Sequence, residues 1–190
     1  MKIIFKYSWQ FLTIFTLILV ILGFFYFEAS IFLRIMVVAL GVVGLMTIRS
    51  TSEILTLLIL YLGLYDLYNI RYGLAVPLSI IILIVFGFTL LIFLLWANFR
   101  KISHNLDKNL QRLYLVTTGL VVMEVFLTMS FWPVDPKIKS LVIVTIFYII
   151  SRVFYLYTNN MLHLKKIVTF IAISLLILGA VLAFNIFYGF

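Results

Sequence analysis

Long apolar runs separated by short polar knots set the pattern of this chain. The runs cover residues 9–27, 31–48, 54–70, 76–97, 114–132, 140–157 and 167–187. A helix needs about 20 mostly apolar residues to cross roughly 30 Å of hydrocarbon, so the pattern predicts seven spans. Membrane strands are not expected, because the runs are too long and too uniformly apolar for the alternation of a barrel. The predicted fold is therefore all-α: a single membrane domain over residues 1–190, a bundle of seven transmembrane helices with short loops.

The knots carry the local signals. Glu28, Ala29 and Ser30 are all that separates the first two runs, so these spans are expected to be antiparallel neighbours. Arg34 lies just inside the second span, within snorkelling reach of the headgroups. Gly41 and Gly44, three apart, give that span a weak packing signal and no GxxxG motif. The RSTSE knot offers Ser50, Thr51 or Ser52 as a helix N-cap. Pro77 stands near the start of the fourth span, where its missing N–H costs little. FWPVDP after the fifth span reads as Trp132 at an interface with two prolines, Pro133 and Pro136, ending helices.

The longest polar stretch, NFRKISHNLDKNLQR, places Ile102, Leu106, Leu110 and Leu113 at helical spacing opposite Lys101, Asn105, Lys108 and Arg112. Two readings stand side by side. It is a short basic helix lying on an anionic leaflet, with Arg100, Lys101, Lys108 and Arg112 toward the lipid headgroups, or it is a solvated extension of the fifth span.

Composition reinforces the membrane reading: 66% of residues are hydrophobic and 11% charged, whereas a soluble chain carries roughly 25% charge. The net charge of +8 does not point to nucleic acid, because the basic residues lie between apolar runs and form no domain of their own. They act as topology signals. With seven spans, Lys2, Lys6, Arg49, Arg100, Lys101, Lys108, Arg112, Lys165 and Lys166 share the N-terminal side, against Arg34, Arg71, Lys137 and Lys139 on the other. This bias predicts a cytoplasmic N-terminus, an outside C-terminus and a multi-pass protein of the cell membrane. The first run exceeds the roughly 7–15 residues of a secretory signal, and is expected to stay as a span.

The chemistry that is missing narrows the function. The chain has no cysteine, which excludes disulfides, thiolate catalysis and thiolate-held iron–sulfur clusters. His104 and His163 both fall in predicted cytoplasmic segments, against paired haem ligation or an intramembrane metal site. No HExxH, GxSxG or P-loop occurs, nor the two-aspartate cluster of lipid-headgroup transferases, nor a lysine in the seventh span for a retinal Schiff base. No catalytic residue, cofactor or metal is assigned, and the leaning is toward a non-enzymatic role.

The polar chemistry that remains gathers in the hairpin from Tyr114 to Tyr157. Thr117, Glu124 and Thr128 share one face of the fifth span, and Thr145, Tyr148, Arg152 and Tyr155 share one face of the sixth. The expectation is an intramembrane Glu124–Arg152 pair, direct or through water. Such a pair marks a substrate or proton pathway, or it fixes helix register as a structural ion pair. In the third span Tyr61, Tyr65, Tyr68 and Tyr72 align on one face, flanked by Asp66 and Arg71. They form either an aromatic platform for a sugar or cation, or an interfacial belt combined with helix packing.

Spans 1–3 and 5–7 would run in the same directions, with the fourth as an inversion linker. This layout resembles that of small sugar transporters built from parallel triple-helix repeats. The likeness is one of layout, without their proline-containing signatures and without an acidic counterpart of Glu124 in the first span. Small residues in the seventh span, Ala172, Gly179 and Ala183, supply a helix-packing seam. The leading expectation is a structural or accessory subunit of a membrane complex, with a membrane-protein partner or a second copy of itself. The alternatives are a small-solute or proton-coupled transporter using Glu124 and Arg152, and a membrane sensor module. The bilayer itself, with anionic lipids at the cytoplasmic loops, is the expected surrounding partner.

Overall fold

The structure is a computed structural model that describes residues 2–46, 52–99, 108–159, 167–169, 171, 172, 174, 176, 179 and 183. The described chain is helical and holds no strand. Six helices follow one another: α1 (Lys2–Phe27), α2 (Ile31–Met46), α3 (Ser52–Gly73), α4 (Leu78–Phe99), α5 (Lys108–Ser130) and α6 (Pro136–Thr158). They match the first six predicted spans. Of the seventh, the described residues between 167 and 183 are helical and the rest lies outside the described residues. Among the described residues, four helices are long and apolar enough to cross a membrane, within Glu53–Gly73, Leu78–Ala97, Asn109–Ser130 and Pro136–Thr158, and two shorter apolar stretches lie at Phe11–Phe27 and Ile31–Val42.

Local sequence explains the helix ends. Ser30 opens α2, with its hydroxyl accepting the Leu33 N–H at 3.4 Å. Asp135 caps α6: its carboxylate accepts the Lys137 N–H at 2.7 Å, and Pro136 occupies the first turn. Proline suits that position because it has no N–H to leave unpaired. Pro136 therefore starts a helix, a correction to the reading that both prolines of FWPVDP end one. Upstream, α5 begins at Lys108, so residues 108–113 extend the fifth helix. Arg100, Lys101, Ile102 and Leu106 lie outside the described residues, as do His104 and His163.

The bundle is built around α3, which packs on α1, α2, α4 and α6, while α5 packs on α4 and α6. Of the membrane-length part of α3, 61% is buried, against 33%, 28% and 33% for α4, α5 and α6. Yet α3 is the least apolar of the four and α4 the most. A bilayer explains the inversion. Lipid accepts apolar side chains wherever they point, so the helix richest in polar groups is the one that must be enclosed by protein. The α5–α6 hairpin, on which the intramembrane chemistry was expected to centre, is peripheral by comparison.

Packing follows from small residues and aromatic rings. A Cβ on Gly63 of α3 would run into the Phe88 ring of α4, and one on Gly119 of α5 would come within 2.9 Å of Phe86 and Leu90. Missing side chains thus let these helices approach closely, as expected where dispersion drives helix association. Toward the C-terminus of α4, the rings of Phe93, Trp96, Tyr114 and Phe154 form one cluster, with Tyr114 and Phe154 centroids 4.1 Å apart. This aromatic knot joins α4, α5 and α6 at the end of the bundle opposite the α1–α2 turn.

Candidate functional site

At the end of the bundle where α1, α3 and α5 finish, two chain turns meet the end of α3 in a polar clasp. Its centre is Glu28, in the three-residue turn between α1 and α2. The side chain is 6% exposed and pairs with the Lys137 ammonium at 2.9 Å. The Glu28 carboxylate also accepts the Ser30 N–H at 3.1 Å and the Tyr65 hydroxyl of α3 at 3.3 Å. Arg34 closes the same turn from α2, its Nε donating to the Glu28 carbonyl at 2.6 Å while its guanidinium lies over the Phe25 ring. Burial pushes the Glu28 carboxyl up, but the Lys137 ammonium, the Ser30 N–H and the Tyr65 hydroxyl outweigh it. The carboxyl sits below its ordinary value.

A second set of contacts ties α3 to the α5–α6 turn. Lys139, 3% exposed, donates to the Tyr72 hydroxyl at 2.8 Å, with its ammonium 4.7 Å from the Tyr72 ring centre and 5.5 Å from that of Tyr68. Desolvated ammonium groups over aromatic rings gain roughly 2 kcal/mol, which offsets part of the cost of burying the charge. The Tyr72 hydroxyl donates to the Ser130 carbonyl at 2.7 Å, and the Tyr68 hydroxyl to the Phe126 carbonyl at 3.2 Å. Tyr68 is fully buried and stacks on Phe126 at 4.2 Å. Arg71 lies between the rings of Tyr72 and Phe131.

The tyrosine stripe therefore runs along the central helix. Tyr65 and Tyr68 are buried and offer no ring surface to a ligand, Tyr61 is half-buried, and Tyr72 is exposed at the end. Asp66 is buried too, packed against Gly23 of α1, and its Oδ1 finds no hydrogen-bond partner among the described residues.

Among the described residues no direct ion pair joins Glu124 and Arg152. The reason is helical phase. Val122 and Phe126 turn inward from α5, and Thr117, Glu124 and Thr128 are exposed on the other side of that helix. Arg152 sits over the ring of Tyr155, one turn along its own helix. The hydroxyls of Thr128 and Thr145 turn back to the carbonyls of Glu124 and Leu141, and Tyr148 is half-buried on α6. Arg112 is exposed on α5. Ala172, Gly179 and Ala183 are exposed, with nothing within 4 Å of a Cβ built at Gly179.

Sequence reasoning missed Glu28, Lys137 and Lys139 as a site. The signal was present in the alternation of loops, which puts Glu28, Arg71, Asp135, Lys137 and Lys139 at one end. What it lacked was burial. A glutamate in a three-residue turn between two apolar runs has little room to reach water.

These features define the class: a helical membrane protein with a polar clasp at one end of its bundle. No protein-family model, curated protein or solved structure matches the chain.

Proposed function

We propose that this chain is a multi-pass protein of the cell membrane, a non-enzymatic structural or accessory subunit of a membrane complex. The observation that carries the reading is the outward face of α5, where Thr117, Glu124 and Thr128 are exposed within a helix long enough to span the bilayer. A charged side chain inside the hydrocarbon costs about 2.5–3.5 kcal/mol on insertion scales, so a face of this kind belongs against protein. The clasp adds to the argument: Glu28, Lys137, Lys139 and the tyrosines are tied to one another, as in a rigid scaffold. In this reading the bundle has seven spans, a cytoplasmic N-terminus and an outside C-terminus, and the clasp lies at the outer surface.

Isolation of the tagged full chain from native membranes in mild detergent, with mass spectrometry of what accompanies it, tests the reading. The expected result is a membrane protein recovered in near-stoichiometric amount. A chain that comes out alone would overturn it and favour the small-solute transporter, for which the buried Asp66 would be the carboxyl to replace.

A further inference from the structure

The outward face of α5 has a definite composition. Leu113, Thr117, Leu120, Glu124 and Thr128 are exposed and spaced three and four residues apart down one side of the helix, with the exposed Val116 beside Thr117. The Thr128 hydroxyl is bonded to the Glu124 carbonyl at 2.9 Å, so the group on this face that needs a partner is the Glu124 carboxylate. It lies six residues before Ser130, roughly 9 Å along the axis at 1.5 Å per residue, within the span Asn109–Ser130. A glutamate side chain is too short to carry its charge over that distance to water.

Among the described residues the basic groups lie against other neighbours, Arg34 on the Glu28 carbonyl among them, although Nη1 of Arg71 is buried without a hydrogen-bond partner there. Lys137 pairs with Glu28, Lys139 bonds Tyr72, Arg71 lies between Tyr72 and Phe131, and Arg152 lies over Tyr155. Arg112 stands on the same helix twelve residues away, roughly 18 Å along the axis. Among the described residues, no cation of this chain pairs with Glu124.

We infer that this face seats a transmembrane helix of a partner protein, and that the helix brings a lysine or arginine opposite Glu124. The inference rests on the subunit reading and names the chemistry of the partner. Charge decides between occupants. A second copy related by a two-fold axis through this face sets Glu124 against Glu124, a like-charge contact. A basic residue turns a costly isolated charge into a hydrogen-bonded pair in a low-dielectric setting, and so fixes both register and identity of the docked helix. The apolar residues above and below, Leu113, Val116 and Leu120, supply the packing surface for such a helix.

The test places a benzoyl-phenylalanine at position 120 of the full chain, and in a parallel sample at position 15 on the exposed face of α1. Both are irradiated in native membranes. The result expected is a protein adduct from position 120 whose cross-linked peptide belongs to an apolar span containing lysine or arginine. Its yield falls roughly tenfold with Glu124→Gln, as loss of a pairing that stabilises the complex requires. A partner captured from either position with no basic residue in its span, or with a yield that Glu124→Gln leaves unchanged, overturns the inference while the subunit reading stands. An adduct from position 120 to residues 167–187 of the same chain also overturns it, since the protein then covers its own face. Lipid adducts alone from both positions overturn inference and subunit reading together.

Discussion

Tyr68→Ala is expected to destabilise the bundle more than any other single truncation on α3. The ring is fully buried where α3, α5 and α6 meet, stacked on Phe126, with the Lys139 ammonium above it and its hydroxyl on the Phe126 carbonyl. In water-soluble cores, removing a buried aromatic ring costs about 3–5 kcal/mol. In a bilayer the hydrophobic part of that cost largely vanishes, because lipid is as apolar as the core. The lost dispersion contacts remain, so about 3 kcal/mol is expected. Tyr68→Phe keeps the ring and loses one hydrogen bond, for about 1 kcal/mol. Unfolding in mild detergent measures both. If Tyr68→Ala were no more harmful than Tyr72→Ala, whose ring is 47% exposed, the description of α3 as the axis of the bundle would be wrong.

Glu28→Ala comes second. One truncation removes the acceptor of Lys137, the Ser30 N–H and the Tyr65 hydroxyl, and so loosens α1, α2, α3 and α6 at once. Hydrogen bonds to charged groups contribute about 1.5–3 kcal/mol each. The Lys137 side chain, however, is 39% exposed, and water replaces part of what it loses. A net loss of about 2 kcal/mol is expected. A double-mutant cycle with Lys137→Ala should isolate a coupling of about 1 kcal/mol. The pH dependence has a definite sign. Because the folded carboxyl sits below its ordinary value, its contribution is complete above the unfolded value of about 4.3. It fades as pH falls through the lower folded value. Wild type should lose stability over that acid window, and Glu28→Ala should lose less. Equal acid sensitivity of the two proteins would show that the ion pair contributes nothing.

The legible part of this fold was its periodicity. Apolar runs located six helices, because lipid imposes length and composition on each span separately, but α1 and α5 begin several residues earlier, at Lys2 and Lys108. The arrangement of the helices was much less legible. Nothing in the run from Thr56 to Tyr68 announces a central helix until its polar residues are weighed as a reason for enclosure. Rotation was less legible still. Spacing grouped Thr117, Glu124 and Thr128, all three exposed, but periodicity fixes which residues travel together and leaves open which way they point. The direction was set by Gly119, whose missing side chain draws the opposite side of α5 onto α4. The clasp was half legible. Loop alternation gathered Glu28, Lys137 and Lys139 at one end, while the choice of partners depended on how closely Tyr65 and Tyr72 approach across the bundle.

The central claim is that protein, not lipid, covers Glu124 in the native membrane. Labelling with dicyclohexylcarbodiimide, which enters the bilayer and modifies accessible protonated carboxyls, tests it directly when read peptide by peptide at Glu124. Little modification at Glu124 is expected in native membranes, because a docked helix covers the carboxyl. Modification should be strong after the chain has been separated from its partners in detergent at the same pH. Equal, strong modification of Glu124 in both samples would contradict the account, since the α5 face would then be open to lipid.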